Sequence, residues 1–146
     1  MKAIVYTKYG PPDVLQLIKV EKPTPKEGEV LVKVHATSIT YSNAAYVRGK
    51  PFIVRLMDSG LLKPKYRILG SEISGRVEAV GENTRQFQPD DEVFGDISDC
   101  GRGGFAEYVA VPAHALALKP ENSTFVEMGL NSSPETVGTR PCTPAS

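Results

Sequence analysis

The sequence predicts a mainly β fold, a partly open barrel of short antiparallel strands with one or two short helices. Three observations predict it. Glycines open, interrupt and close the run Gly70-Ser71-Glu72-Ile73-Ser74-Gly75-Arg76-Val77-Glu78-Ala79-Val80-Gly81, with Ile73, Val77 and Val80 as its apolar content. A strand bending around a small barrel has this pattern, its glycines marking a bulge or a close backbone approach. Val30, Val32, Val34 and Ala36 alternate with Leu31, Lys33, His35 and Thr37, as in a strand with one buried face. Two further strand-like segments, Asp91-Glu92-Val93-Phe94-Gly95 and residues 104–112, follow the turns at Gln88-Pro89-Asp90 and Gly101-Arg102-Gly103-Gly104.

The other elements follow in order. Ala3-Ile4-Val5-Tyr6 and Val14-Leu15-Gln16-Leu17-Ile18 read as short strands around the turn Tyr9-Gly10-Pro11-Pro12-Asp13, an opening hairpin-like unit. A proline-rich connection, residues 22–28, leads into the long strand. Asn43-Ala44-Ala45-Tyr46-Val47-Arg48 gives a short helix ended by Gly49. Phe52-Ile53-Val54-Arg55-Leu56-Met57 is apolar at helical and extended spacing alike, so pattern leaves its type open. Asp90 costs about 1 kcal/mol if its backbone takes a positive φ, and a type I turn removes that cost. Residues 129–146 are rich in Gly, Pro, Ser and Thr, without aromatic residues or apolar period, so they cannot bury enough surface to offset their ordering entropy. Disorder is expected there.

The 146 residues are one domain's worth. Seventeen basic residues balance seventeen acidic ones, so neither nucleic acid nor an anionic membrane is an expected partner. No apolar run approaches the roughly eighteen residues of a membrane span, and the first eight residues lack the apolar core of a signal peptide. A cytoplasmic location is expected. Cys100 and Cys142 form no disulfide framework and read as two free thiols.

Four motifs in one order carry a resemblance. They are Leu31-Val32-Lys33-Val34-His35-Ala36-Thr37-Ser38-Ile39; Ile68-Leu69-Gly70-Ser71-Glu72 with Gly75 and Gly81; Asp91-Glu92-Val93-Phe94-Gly95; and Gly103-Gly104-Phe105-Ala106-Glu107-Tyr108-Val109. The chain resembles the N-terminal, GroES-like catalytic domain of the medium-chain dehydrogenase/reductase superfamily, on its zinc-independent, quinone oxidoreductase (zeta-crystallin-like) side. The resemblance covers residues 1–127, the expected domain, and leaves 128–146 as a disordered tail. In the family this position runs through an alanine-rich helix into a cofactor domain. The break near Glu127 is what a frameshift, a truncated gene, an artificial truncation or a natural short paralogue would produce.

The resemblance implies reduction of quinones, enones or related carbonyls by NADPH or NADH. Hydrogen-bond donors would hold the substrate oxygen in place of a metal. The candidates lie in residues 38–46. The family commonly has Asn where Thr40 stands and Asp where Asn43 stands, facing nicotinamide and substrate. Thr40 can donate one hydrogen bond and Asn43 two, but Asn43 cannot be an anionic base. Tyr46 either donates its phenol to the substrate oxygen or packs with its hydroxyl toward solvent. Catalytic roles therefore fall to Tyr46, Asn43 and Thr40, and contacts to the nicotinamide side of the cofactor to Thr40 and Tyr46. Tyr41, Phe52 and Leu56 are expected to line the substrate pocket, the last two on a flap.

Zinc needs three or four convergent Cys, His or carboxylate ligands. Gly70-Ser71-Glu72 stands where zinc-dependent relatives have Gly-His-Glu, residues 40–43 contain no Cys, and His35 and His114 are far apart. No metal is expected. Glu72, polar within an apolar strand, is assigned to a structural ion pair with Arg48 or Arg67. Gly101-Arg102-Gly103-Gly104 precedes a strand rather than a helix and reads as a flexible turn. No Gly-x-Gly-x-x-Gly fingerprint occurs, so no Rossmann domain is present and no NAD(P)(H) is expected to bind this chain tightly. Little activity and a monomeric state are expected of the chain alone. Two other readings stay open, a non-catalytic barrel that binds a partner through an apolar patch at Phe52, Leu56 and Leu61, and a degenerate zinc alcohol dehydrogenase relative.

Overall fold

A computed structural model describes residues 1–56 and 60–130. Strands β1 (Lys2–Val5) and β2 (Gln16–Lys19) form an antiparallel hairpin with Lys2 opposite Lys19, joined through a 3₁₀ turn at Pro12–Val14. The remaining strands are β3 (Glu29–Thr37), β4 (Glu72–Val80), β5 (Glu92–Asp96), β6 (Tyr108–Pro112) and β7 (Ala117–Leu118). They make one antiparallel sheet in the order β6-β3-β4-β5-β7. The fold is mainly β, as expected, and the described sheet is open rather than closed on itself. The hairpin is stitched beside it by isolated bridges of Ala3 to Ala106 and Val5 to Ile68.

Alternation on β3 works as read, with one addition. Val30 and Val32 are fully buried and join Ile73, Val77, Val93, Ile97, Val109 and Val111 in the main core, while Lys33 and His35 are exposed. Leu31, assigned to the open face, is buried as well, so that face is covered at its start. The β3–β4 register slips at Leu31/Val32 and again at Val34/Ala36, and these irregularities bend the pair. Gly75 sits at the bend opposite Val34, where a Cβ would collide with the Lys33 carbonyl oxygen. The strand glycine therefore marks a close backbone approach.

Three short α-helices are present among the described residues. Helix α1 (Tyr41–Arg48) ends at Gly49, whose φ of 59° gives the left-handed stop that the sequence indicates. Helix α2 (Phe52–Val54) settles the start of the segment whose pattern is ambiguous, and Met57 at its end lies outside the described residues. Helix α3 (Phe125–Leu130) exceeds the expected count and crosses the boundary set at Glu127. Its cause is a capping box: the Glu127 carboxylate accepts the Thr124 backbone N–H at 2.8 Å, and the Thr124 hydroxyl accepts the Glu127 N–H at 3.2 Å. The Thr124 N–H, and then the Thr124 hydroxyl at 3.0 Å, donate to the Glu127 carboxyl and hold it below its ordinary range. Gly129, placed in the disordered tail by its composition, is instead buried against Ala36 and Ser74. The rest of the expected tail, 131–146, lies outside the described residues.

Asp90 takes the costly alternative, with φ 73°, and its N–H donates to the Val77 carbonyl at 2.9 Å. Cys100, read as a free thiol, is disulfide-bonded. Cys142 lies outside the described residues.

Candidate functional site

The site is built where β3 ends, α1 begins, β4 begins and the Gly-rich loop at 101–104 returns. Thr40 has extended backbone and caps α1. The Asn43 carbonyl oxygen accepts both the Thr40 N–H, at 2.9 Å, and the Thr40 hydroxyl, at 3.0 Å. The same hydroxyl lies 2.7 Å from that of Ser42. Asn43 is 2 % exposed, and its amide nitrogen has no hydrogen-bond partner among the described residues. These two side chains therefore lock the strand-to-helix turn. The Asn43 carbonyl is thereby committed to the cap, where it satisfies a helix-end N–H.

Tyr46 points its phenol at Arg102. The guanidinium donates from Nη2 to the phenol oxygen at 2.7 Å and from Nη1 to the Ser71 hydroxyl at 2.9 Å. Its central carbon lies 4.1 Å from the Tyr46 ring centroid and 5.3 Å from that of Tyr66. The planar fork allows one cation to serve both oxygens, and the stacked rings cover it. Arg102 is only 9 % exposed. Tyr46 thus faces a buried cation, not solvent.

Backbone geometry delivers this arginine. The loop after the 3₁₀ turn Ser98–Cys100 has positive φ at Gly101 (96°), Arg102 (61°) and Gly103 (119°). The Arg102 N–H donates to the Ile97 carbonyl at 3.1 Å, and the Ile97 N–H to the Ser71 carbonyl. Gly104 and Phe105 donate to the carbonyls of Gly70 and Leu69 at 3.0 and 2.8 Å. Gly70, at φ 95°, must lack a side chain here, since a Cβ would come within 2.7 Å of the Phe105 nitrogen. The segment read as a flexible turn is pinned to the start of β4 and delivers the buried cation.

Glu72 has no ion pair among the described residues. Its carboxylate accepts the Ser38 hydroxyl in a short hydrogen bond, and Arg48 and Arg67 are exposed. The expected pairing fails because half-burial leaves the carboxylate partly hydrated, and a buried hydroxyl serves its inner side. Tyr41, Phe52 and Leu56 are 87 %, 61 % and 68 % exposed. A groove of about 850 Å³ is lined by Leu15, Leu17, Val34, Val47 and Phe105, with Ile39, Asn43 and Ala44 contributed by the expected 38–46 stretch.

His35 stacks on Phe125 with centroids 4.5 Å apart, a packing role. No three His, Cys, Asp or Glu side chains converge among the described residues. Beneath α1, Tyr6 is fully buried and its hydroxyl has no hydrogen-bond partner among the described residues. Burial, then Tyr9, push its phenol well above its ordinary value of 10.0, and Arg102 offsets part of that rise. No helix among the described residues is long and apolar enough to cross a membrane.

An antiparallel sheet of this order, flanked by a capped helix and a pinned glycine loop, defines a class, and comparison with known proteins names it. The alcohol dehydrogenase GroES-like domain matches residues 26–121, and the chain belongs to that family, as the N-terminal domain of medium-chain dehydrogenase/reductases. It is 35 % identical over 134 residues to the chloroplastic NADPH-dependent alkenal/one oxidoreductase of Arabidopsis thaliana, covering 87 % of this chain and 33 % of that protein. It is 32 % identical over 130 residues to the quinone oxidoreductase of Homo sapiens, covering 86 % and 35 %. The quinone oxidoreductase structure from Coxiella burnetii superposes with a TM-score of 0.76 at 28 % identity, covering 88 % of this chain and 40 % of that one. The chain therefore spans about a third of the length of the curated relatives it matches.

Sequence pattern assigns Arg102 and Ser71 no place in the site: Ser71 stands in a strand where zinc-dependent relatives have a ligand, and Arg102 in a turn. The available signal was a long cationic side chain placed between glycines, which can deliver it inward.

Proposed function

We propose that this chain is the substrate-side domain of a zinc-independent NAD(P)H-dependent reductase of quinones, enones or related carbonyls. One observation carries it: within a domain of this family, a tyrosine beside the α1 turn has its phenol oxygen held by a buried guanidinium at 2.7 Å. A phenol is a hydrogen-bond donor, and a carbonyl oxygen gaining negative charge is an acceptor such a donor suits. Tyr46 is the donor. Thr40 and Asn43 order the turn that carries it, and Thr40 with Tyr46 forms the nicotinamide side of the cleft.

The fit to a dinucleotide is partial. Tyr46 and Thr40 suit its reacting end, while Asn43 already occupies the cap at the α1 N-terminus and no Gly-x-Gly-x-x-Gly loop offers a cradle for the pyrophosphate. When bound, the nicotinamide would supply hydride to the electrophilic carbon of the substrate. This chain's residues hold the substrate oxygen and provide a polarised hydrogen bond to it.

The chain alone is expected to be monomeric, cytoplasmic, without zinc, and nearly inactive. NADPH absorbance followed with a simple quinone should decay at the protein-free rate, and turnover well above it would overturn that expectation. Binding of cyclohexenone should weaken about fivefold in Tyr46→Phe, the effect of one hydrogen bond. Unchanged affinity would remove Tyr46 from the site. Metal analysis of the purified protein tests the absence of zinc.

A second reading has one observation in its favour. Phe52, Leu56 and Leu61 are all at least half exposed, as a non-catalytic module binding through an apolar patch requires. Sedimentation equilibrium distinguishes them, since self-association abolished by Phe52→Ser would favour that module.

A further inference from the structure

We propose that segments 48–56 and 60–67 form a docking surface for an anionic lipid bilayer. The inference does not depend on the reductase reading. Balanced net charge argues against such a partner only where charge is evenly spread, and here it is not. The two segments hold six of the seventeen basic residues, Arg48, Lys50, Arg55, Lys63, Lys65 and Arg67, and Asp58 is the one acidic residue between Arg48 and Arg67. All of the six but Arg55 are exposed, and none of those five pairs with a carboxylate among the described residues. Phe52, Ile53, Leu56, Leu61 and Leu62 stand between the outer cations, each at least half exposed and Leu62 88 %. Apolar groups flanked by unpaired cations match the two parts of a membrane surface, the acyl boundary and the anionic headgroups.

The two segments are tied to one half-buried side chain. The Tyr9 hydroxyl donates to the Gly60 carbonyl at 2.5 Å, and the Arg55 guanidinium lies 4.4 Å from the Tyr9 ring centroid. Arg55 Nε donates in turn to the Gly49 carbonyl at 3.0 Å. Tyr9 thus fixes both apolar arms, so little ordering entropy stands against docking. Other occupants fit less well. A second copy would set five unpaired cations against five, and like charges repel across an interface. Nucleic acid would match the charge, but four of the five apolar groups are aliphatic and offer bases no stacking face.

Vesicle binding by the full chain tests this. Cosedimentation is expected with phosphatidylcholine vesicles containing about one quarter phosphatidylserine, falling with added salt, and absent with phosphatidylcholine alone. Lys63→Gln with Lys65→Gln should weaken binding about 25-fold, at about fivefold for each cation at an anionic surface. Leu62→Ser should weaken it about tenfold, the effect of withdrawing one leucine from an apolar boundary. Lys26→Gln with Lys33→Gln, at exposed lysines outside the patch, should leave it unchanged. The chain has no tryptophan, so Leu62→Trp supplies a single emitter whose fluorescence should move to the blue on the mixed vesicles. No cosedimentation, or equal binding to both vesicle types, would overturn the proposal. An unshifted Leu62→Trp emission in bound protein, or equal weakening by the two lysine pairs, would place binding elsewhere on the molecule and overturn it too. A short DNA duplex bound more tightly than the vesicles, with no sensitivity to Leu62→Ser, would overturn it in favour of nucleic acid. If a variant fails to fold by circular dichroism, the two vesicle types compared on the unaltered chain decide.

Discussion

Ile73 and Arg102 are both buried within the same small domain, and they reached that position by different routes. Ile73, with Val30, Val32 and Val93, is inside because period-two alternation on paired strands leaves it no other place. Arg102 is inside because three consecutive left-handed residues and a set of backbone bonds to Ser71, Gly70 and Leu69 fold its loop onto the start of β4. The sheet interior is thus dictated locally, and the polar cluster by tertiary contacts between segments about thirty residues apart, as Arg102 and Ser71 are. The proposed site is placed by the second mechanism on a frame built by the first.

Substitutions can break or sharpen that contrast, and the largest effect belongs to the sheet. Ile73→Ala, at a fully buried core position, should cost about 3 kcal/mol in urea unfolding, the range for deleting buried aliphatic groups. A loss below about 1 kcal/mol would mean the core is less tightly packed than its burial indicates. In the polar cluster, Ser71→Ala removes one acceptor from a buried guanidinium and should cost about 2 kcal/mol while leaving far-ultraviolet circular dichroism unchanged.

Asp90 sharpens the contrast from the opposite side. Its φ of 73° has no site to serve, so Asp90→Gly should stabilise by about 1 kcal/mol in the same unfolding assay. Tyr6→Phe should change stability by less than about 0.5 kcal/mol, because its hydroxyl has no hydrogen-bond partner among the described residues to lose.

The smallest effect is electrostatic. Hydrogen bonds from Lys119 and then Arg76 hold the Glu92 carboxyl below its ordinary value of 4.5. A lowered native value means the carboxylate contributes stability above that ordinary value and loses it as pH falls through the lowered one. The stability difference between the protein and Glu92→Gln should therefore be steady near neutral pH and close below 4.5. A difference that grew toward acid would reverse the sign.

The same contrast explains what the sequence made legible. Strands β3, β4, β5 and β6, helix α1 and its Gly49 stop were readable because each is written in its own residues, as alternation, apolar content or a terminal glycine. Helix α3 was readable too, in the capping box Thr124-Phe125-Val126-Glu127, but the low-complexity residues beyond it masked the signal. Tyr46, Thr40 and Asn43 are grouped by resemblance alone. Their division of labour was not, since nothing near Asn43 in sequence states that its carbonyl faces Thr40 while the Tyr46 hydroxyl meets Arg102. Glu72 failed for the same reason: its partner, Ser38, comes from the neighbouring strand's end rather than from an arginine.

The central claim is that a substrate carbonyl is held at Tyr46. The most direct test is a ¹H–¹⁵N correlation spectrum of the full chain titrated with cyclohexenone. Saturable shifts centred on Thr40, Tyr46, Ser71 and Arg102, with a midpoint about fivefold higher in Tyr46→Phe, are the result this account requires. Shifts centred instead on the apolar groove at Leu17, Val34 and Phe105, or no saturable shifts, would contradict it.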